Sequence, residues 1–303
     1  MTGPLFQEEI GSWEDWAKVF QSIPAFTPLA REICRREKLP WQGLSPLTPG
    51  TNGVFRCGDF VLKIFFPKEA GPDPEGDFQN ELAVARWVLA QGIPTPAVVA
   101  QGWVEDKYRF FYLVTQFAQG REAGDWLVEA SPLEQEMFIR RLKDLLQKLN
   151  RPVSGAIAPI DLKDRARHND RLQKLTPSLR EELLARLEGL TWETPVLVHG
   201  DLTGENLLVR EDGSLVLLDC ADACLAPSWY ELGPLVFELF RCQGSLLKLF
   251  VGVERELFVE RVLDCVCLHD FGPDFLYQLA QKEDLTPFTH LDQVRTVLWE
   301  RMN

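Results

Sequence analysis

The segment from Val196 to Asp219, VLVHGDLTGENLLVREDGSLVLLD, constrains this chain more than any other. Apolar runs alternate with one polar loop and one Asp-Gly turn, a pattern that requires a strand, a loop and then a hairpin within a short span. With Asp212-Gly213 as a two-residue turn, Glu211 faces Ser214 and each further pair of opposing residue numbers sums to 425. Asn206 then lies across from Asp219, with Cβ atoms on one face about 4.5–5.5 Å apart. An amide oxygen and a carboxylate at that spacing share a hard divalent cation such as Mg2+, which takes few protein oxygens and completes its shell with water and phosphate. Asp201, five residues before Asn206 at the mouth of the hairpin, is placed to accept the proton of an attacking hydroxyl. Alone, each of these residues is an ordinary turn residue bonded to nearby backbone. Three in matched register behind the apolar run Val196–Val198 define a candidate site.

A second hairpin lies upstream. VFRC, Gly58-Asp59 and FVLKIFF form strand, two-residue turn and strand, so Lys63 faces Val54. Alternation puts Val61, Lys63 and Phe65 on one face. An ammonium on so apolar a surface needs an anionic partner, unless the strand is an edge from which lysine reaches water. Pro49-Gly50-Thr51-Asn52-Gly53, just before, is a glycine-containing turn whose backbone N–H groups suit phosphate. Glu81 borders the apolar face made by Phe78, Val84, Ala85 and Val88 on the next helix, which the pattern runs from near Asp77 to Gly92.

Around these hairpins, residues 12–38 show helical patterns interrupted by Pro24 and Pro28, and strand-like runs cover 97–103 and 109–115. After Gln116-Phe117-Ala118 the chain turns mainly helical. Residues 132–149 carry an apolar stripe of Leu133, Met137, Phe138, Leu142, Leu145, Leu146 and Leu149. The expected fold is α+β in two lobes, a small β-rich lobe over residues 1–117 and a larger helical lobe over 118–303.

The formal charge of −13 argues against nucleic acid as a partner, since its phosphates would be repelled. Residues 1–117 hold 11 Lys and Arg against 14 Asp and Glu, and residues 118–303 hold 21 against 31. The acidic second part either attracts a cationic substrate or keeps the surface solvated. No apolar run reaches the roughly 18 residues of a membrane span, and the N-terminus lacks the basic start and apolar core of a secretory leader. Seven cysteines without a regular framework read as reduced thiols in a cytoplasmic protein. Cys265-x-Cys267 and Cys220-x3-Cys224 lack zinc spacing and are read as buried apolar thiols, and His168, His269 and His290, with no companions at ligand or triad spacing, are read as structural or surface residues.

His199-Gly200-Asp201-Leu202-Thr203-Gly204-Glu205-Asn206 resembles the H-G-D-x-x-x-x-N loop of the aminoglycoside phosphotransferase and choline kinase family, a relative of protein kinases. Leu217-Leu218-Asp219 resembles its metal-binding strand. The resemblance spans about residues 47–235. It implies a two-lobed kinase-like fold, Asp201 as catalytic base, and Asn206 and Asp219 as magnesium ligands. It makes His199 a support beneath the loop. It further implies Val54 against adenine, Lys63 on the α- and β-phosphates with Glu81 holding it, Gly50, Asn52 and Gly53 over the phosphates, and Gln116, Phe117 and Ala118 as the hinge. Two departures stand out: Cys220 follows the metal-binding Asp where the family favours a bulky apolar residue, and Glu231 replaces the commoner Asp in APSWYEL. Glu231 is still able to brace the loop by accepting backbone hydrogen bonds, and Asp222 is either an accessory metal carboxylate or a loop residue. The implied activity is transfer of the γ-phosphoryl group of Mg-ATP to a hydroxyl of a small molecule, with amine-bearing acceptors such as aminoglycosides, choline or amino-sugars among those the family takes. The alternatives are an ATP-binding pseudokinase and transfer of AMP. The short stretch between Asp219 and Glu231 leaves no room for a long activation loop, which disfavours a protein acceptor.

Overall fold

The computed structural model describes residues 3–48, 50–153, 157, 159–282 and 286–303. Pro49, assigned above to the phosphate turn, lies outside the described residues. The chain divides into two compact units, Met1–Gln119 and Gly120–Asn303.

In the first unit, helices α1 (Trp13–Val19) and α2 (Ile23–Arg36) precede strands β1 (Ser45–Pro46), β2 (Gly53–Cys57) and β3 (Phe60–Ile64). Helix α3 (Pro74–Ala90) and strands β4 (Val98–Glu105) and β5 (Arg109–Gln116) follow. The strands form one antiparallel sheet in the order β1-β2-β3-β5-β4. The first hairpin has the register read from the sequence, with Val54 opposite Lys63. Strand β3 is central, so Lys63 is also paired with Leu113 on β5 and has no open edge to leave by.

Alternation gives the sheet two faces with different covers. Phe55, Leu62, Ile64, Phe110, Tyr112 and Val114 pack against Phe6, Trp16, Phe26, Leu29 and Ile33. Phe65, Phe111 and Leu113, on the Lys63 side, pack against Phe78 and Leu82 of α3. The N-terminal segment, which matched no motif, is thus the lid of the sheet's outer face. Asp106 ties it down by accepting from Leu5 N at 3.0 Å and Phe6 N at 2.9 Å, and the Tyr108 hydroxyl accepts from Ile10 N at 2.8 Å.

Three expectations about helices need correction. The break between α1 and α2 falls before Pro24, which occupies the first turn of α2 where a missing N–H costs nothing; Pro28 lies inside the helix. The buried stripe Phe26, Leu29, Ala30, Ile33 and Cys34 outweighs that interior proline. Helix α3 begins at Pro74, not near Asp77, because Asp73 caps it by accepting from Gly76 N at 2.9 Å.

The second unit opens with β6 (Arg121–Glu122), α4 (Ala123–Glu129), α5 (Pro132–Leu149), α6 (Leu162–Arg167) and α7 (Pro177–Gly189). Short strands β7 (Val196–Val198), β8 (Leu207–Val209), β9 (Leu215–Leu217) and β10 (Cys224–Ala226) follow, then α8 (Gly244–Val251), α9 (Arg255–Leu268), α10 (Gly272–Lys282) and α11 (Leu291–Arg301). Strands β6-β8-β9 make one small sheet and β10-β7 another. Helix α9 is the unit's central rod, buried from Val262 to Leu268, with α7, α10 and α11 against it. On α5 the buried residues are Phe138, Ile139, Leu142, Leu145 and Leu149, whereas Leu133 and Met137 are exposed, so the stripe is rotated toward Ile139.

The second hairpin has a different register from the one expected. Leu207 pairs with Leu217 and Val209 with Leu215, a sum of 424. Arg210 N donates to Ser214 O at 3.0 Å and Gly213 N to Arg210 O at 2.8 Å, with Gly213 at φ 74°. These bonds define a three-residue loop ending in a left-handed glycine. Asn206 is therefore bonded to Leu218, whose N–H donates to the Asn206 carbonyl at 2.9 Å, and is not the ladder partner of Asp219.

All seven cysteines are buried thiols, none in a disulfide. Among the described residues no helix is long and apolar enough to cross a membrane.

Phe26 is fully buried among Phe6, Trp16, Phe55 and Phe110. Phe26→Ala is expected to destabilise the protein by about 3–5 kcal/mol in urea unfolding. A loss below about 1 kcal/mol would show that the N-terminal cover is dispensable.

Candidate active site

The polar cluster of the second unit grows from β7. Its residues Leu197 and Val198 are buried, and its pairing with β10 aligns Val198 with Cys224. The chain leaving this strand is held at each step. His199 is buried; its Nδ1 accepts from Asp201 N at 3.3 Å and its Nε2 donates to Leu218 O at 2.8 Å. Burial lowers its pKa, so it is a neutral imidazole with its tautomer set by these two bonds. That matches the supporting role expected of it. Gly200 has φ 79°, and a Cβ there would lie 2.3 Å from the Asp222 carbonyl oxygen. No other residue fits.

Glu231 is buried and accepts from the backbone N–H of both His199 and Gly200, the latter at 3.4 Å. It thus braces the loop as the sequence suggested. Asn206 Nδ2 donates to both the carboxylate Oδ2 and the main-chain oxygen of Asp201, each at 2.8 Å. The amide nitrogen therefore faces Asp201, and the amide oxygen is directed away from it.

Asp219 has φ 44°, a left-handed conformation in which Asp is one of the few tolerated side chains. That twist ends β9 and aims the carboxylate independently of the ladder; its Oδ1 accepts from Ala221 N at 3.2 Å. Asp201 nevertheless feels it. Burial, and then the carboxylates of Asp222, Asp219 and Glu238, raise the Asp201 pKa to about 7 against the Asn206 bond. Asp201, Asn206, Asp219 and Asp222 thus belong to one neighbourhood, although the cross-strand register that predicted it was off by one.

Two residues here, Glu238 and Asn150, escaped the sequence reading, and His269 was read there only as structural or surface, without its tie to this loop. Glu238 is the lone polar side chain of the π-helical turn Pro234–Leu239, and an acid in that apolar run was a readable signal. Asn150 donates to Leu197 O at 3.0 Å, and His269 Nε2 donates to Gly200 O at 2.9 Å. Both come from distant helix ends and carry no local pattern.

In the first unit, Lys63 and Glu81 are both buried. Lys63 Nζ lies 2.9 Å from Glu81 Oε1 and 2.8 Å from Oε2. The expected partner is therefore present, and the Phe65 ring lies 5.7 Å from the same ammonium. The turn before β2 is anchored from within: Asn52 is buried with Oδ1 accepting from Phe66 N at 3.2 Å, and Thr51 O accepts from Trp16 Nε1 at 2.8 Å. Gly53 is packed against the Phe20 carbonyl and Phe55 ring, whereas Gly50 has open space around it. Val54 is half-buried on β2. At the end of β5, Gln116 N donates to Ala97 O at 3.0 Å and Phe117 N to Asp59 O at 2.8 Å, and the Arg56 guanidinium covers the Phe117 ring at 3.7 Å. Ala118 is half-buried beside them.

With this geometry in hand, comparison with known proteins identifies the class. The model of the phosphotransferase enzyme family matches residues 47–258, and the chain belongs to that family. No curated protein matches it. Among solved structures it is similar to aminoglycoside 2'-phosphotransferase-IIIa in its GDP complex, at 19% identity over 93% of this chain and 99% of that one, with a TM-score of 0.64. It is similar to aminoglycoside phosphotransferase APH(4)-Ia at 18% identity over 91% and 98%, with a TM-score of 0.59. ADP-bound APH(2'')-Ib matches at 16% identity over 91% and 96%, with a TM-score of 0.58. The chain therefore has the α+β protein-kinase-like fold of those enzymes.

Two stability experiments follow from the buried charges. Glu81→Ala removes the carboxylate 2.8–2.9 Å from the buried Lys63 ammonium and is expected to cost about 3–5 kcal/mol, more than the paired apolar replacement Lys63→Met with Glu81→Leu. Equal losses in urea unfolding would overturn this account. Burial raises the Glu231 carboxyl from 4.5 to about 7 despite the N–H bonds from His199 and Gly200. Between those values the folded protein keeps a proton that the unfolded chain has released, so stability falls as pH rises through the window. Glu231→Gln is expected to flatten that fall by up to about 3 kcal/mol, read from urea midpoints between about pH 4 and 8; an unchanged slope would place the ionisation elsewhere.

Proposed function

We propose that this chain transfers the γ-phosphoryl group of ATP, with Mg2+, to a hydroxyl of a small molecule. The observation that carries the reading is the Asp201–Asn206 arrangement: one amide fixes a carboxylate through its nitrogen and presents its oxygen elsewhere.

The donor set fits magnesium. Asn206 offers an amide oxygen and Asp219 a carboxylate, both hard ligands, and the carboxylates of Asp222, Asp219 and Glu238, which add to burial in raising Asp201, favour a cation nearby. Among the described residues no group of three or more His, Cys, Asp or Glu side chains stands at metal-ligand spacing. This suits an ion that draws the rest of its shell from phosphate and water rather than a protein cage. When bound, Mg2+ supplies charge compensation for the phosphates.

Asp201 orients the acceptor hydroxyl and takes its proton as the acceptor oxygen bonds to the γ-phosphorus and the bond to the bridging oxygen of ADP breaks. Lys63, held by Glu81, engages the nucleotide's phosphates. The backbone of Gly50, Asn52 and Gly53 closes over them, with Gly50 leaving room for close approach. Val54 packs on the base, and the Gln116, Phe117 and Ala118 backbone meets its edge. With the Gln116 and Phe117 amides already donating, that edge is read by carbonyls and by the Ala118 amide. The solved relatives bind GDP and ADP, and one is a complex with kanamycin; an amine-bearing acceptor is in keeping with the acidic balance of residues 118–303. Buried thiols suit a cytoplasmic setting.

Asp201→Asn is expected to bind Mg-ATP within about threefold of wild type while losing transfer by roughly 100-fold or more. Calorimetry and ADP release across a panel of hydroxyl acceptors check both halves. Transfer at ordinary rates in the variant would sink the base assignment. Release of pyrophosphate instead of ADP would mean AMP transfer, and tight binding without any product would mean a pseudokinase.

A further inference from the structure

We propose that His269 is a positioning residue for Asp201, acting through the carbonyl of Gly200. The inference rests on the catalytic reading above only for its activity readout; its structural content stands on contacts within the second unit.

The peptide joining Gly200 to Asp201 is a rigid plane whose two polar groups are the Gly200 C=O and the Asp201 N–H. Each is held by a histidine. Asp201 N donates to His199 Nδ1 at 3.3 Å, and His269 Nε2 donates to Gly200 O at 2.9 Å. Each ring is fixed by a second bond, His199 Nε2 to Leu218 O at 2.8 Å and Phe271 N to His269 Nδ1 at 3.1 Å. Two neutral imidazoles, with opposite ring nitrogens facing the peptide, thus set the orientation of one plane. Fixing that plane fixes where the Asp201 side chain starts.

His269 follows the last residue of α9, so its position is tied to the most buried helix of the unit. Its ring stacks on Tyr230 at 4.3 Å, next to Glu231, and borders Phe275 at 5.3 Å. The Tyr230 hydroxyl accepts from Arg165 at 2.9 Å, and Arg165 pairs with Asp270 at 2.8 Å. The ring is buried and its pKa falls to about 3, chiefly through burial, so it stays an uncharged donor at any working pH. A phenyl ring would fill this aromatic site as well. What only an imidazole or a similar amide supplies is an N–H for Gly200 O. That carbonyl sits between the two N–H groups held by Glu231 and the carboxylate held by Asn206.

The test compares His269→Phe, which keeps the stack and removes the donor, with His269→Gln, whose amide N–H reaches the same carbonyl. Folded His269→Phe is expected to lose about 10- to 100-fold in kcat with KM for Mg-ATP within about twofold, and His269→Gln to recover most of the loss. Amide hydrogen exchange over residues 199–203 should quicken by about fivefold or more in the Phe variant and return in the Gln variant, at similar Tm. Where the Phe variant does not fold, His269→Asn makes the same comparison, its amide being too short to reach Gly200. Equal kcat loss in Phe and Gln variants, or unchanged exchange at 199–203, overturns the proposal. Absence of turnover in wild type beside the expected exchange pattern overturns the phosphotransfer reading alone and supports the positioning role.

Discussion

A single carboxylate shielded from water, that of Glu231, accepts the backbone N–H groups of His199 and Gly200, and the polar machinery of the second unit hangs from that interaction. Backbone donors turned inward without such an acceptor are costly to bury. Once they are satisfied, the loop is free to take the left-handed step at Gly200 that brings it against Asp222. The same loop then delivers Asp201 to the Asn206 amide. The replacement of the family's commoner Asp by Glu preserves this function because the longer side chain still spans both donors.

The first unit solves a different problem with similar means. A lysine on the central strand of a sheet has no open edge to leave by, and an ion pair makes its burial tolerable. Helix α3 supplies Glu81 on the same face that carries Phe78 and Leu82, so one helix both covers apolar residues beside Lys63 and pairs with its ammonium. The N-terminal helices cover the opposite face and, through Trp16, also hold the turn at Thr51.

The comparison of the two hairpins shows what a sequence encodes locally. Gly58-Asp59 admits a tight two-residue turn, and the register followed correctly. Asp212-Gly213 serves equally as a complete turn or as the tail of a three-residue loop; only Gly213 takes a positive φ here, and the ladder slips by one. The neighbourhood of Asp201, Asn206 and Asp219 survived the slip because the unusual backbone at Asp219, not cross-strand pairing, sets that carboxylate's direction. Lys63, Glu81, His199 and Glu231 were legible because each sat in a motif or on a periodic face. His269 and Asn150 were not, since their partners lie 69 and 47 residues away, and nothing at short range marks a helix end that will meet a particular carbonyl.

The buried thiols have a practical consequence. Cys34 and Cys57 lie in the core between the sheet and its N-terminal cover, and the other five lie in the second unit. Alkylating reagents reach such groups only when the surrounding structure opens. Mass-resolved labelling by iodoacetamide therefore gives the protein two built-in clocks, one for each unit, without any engineered probe.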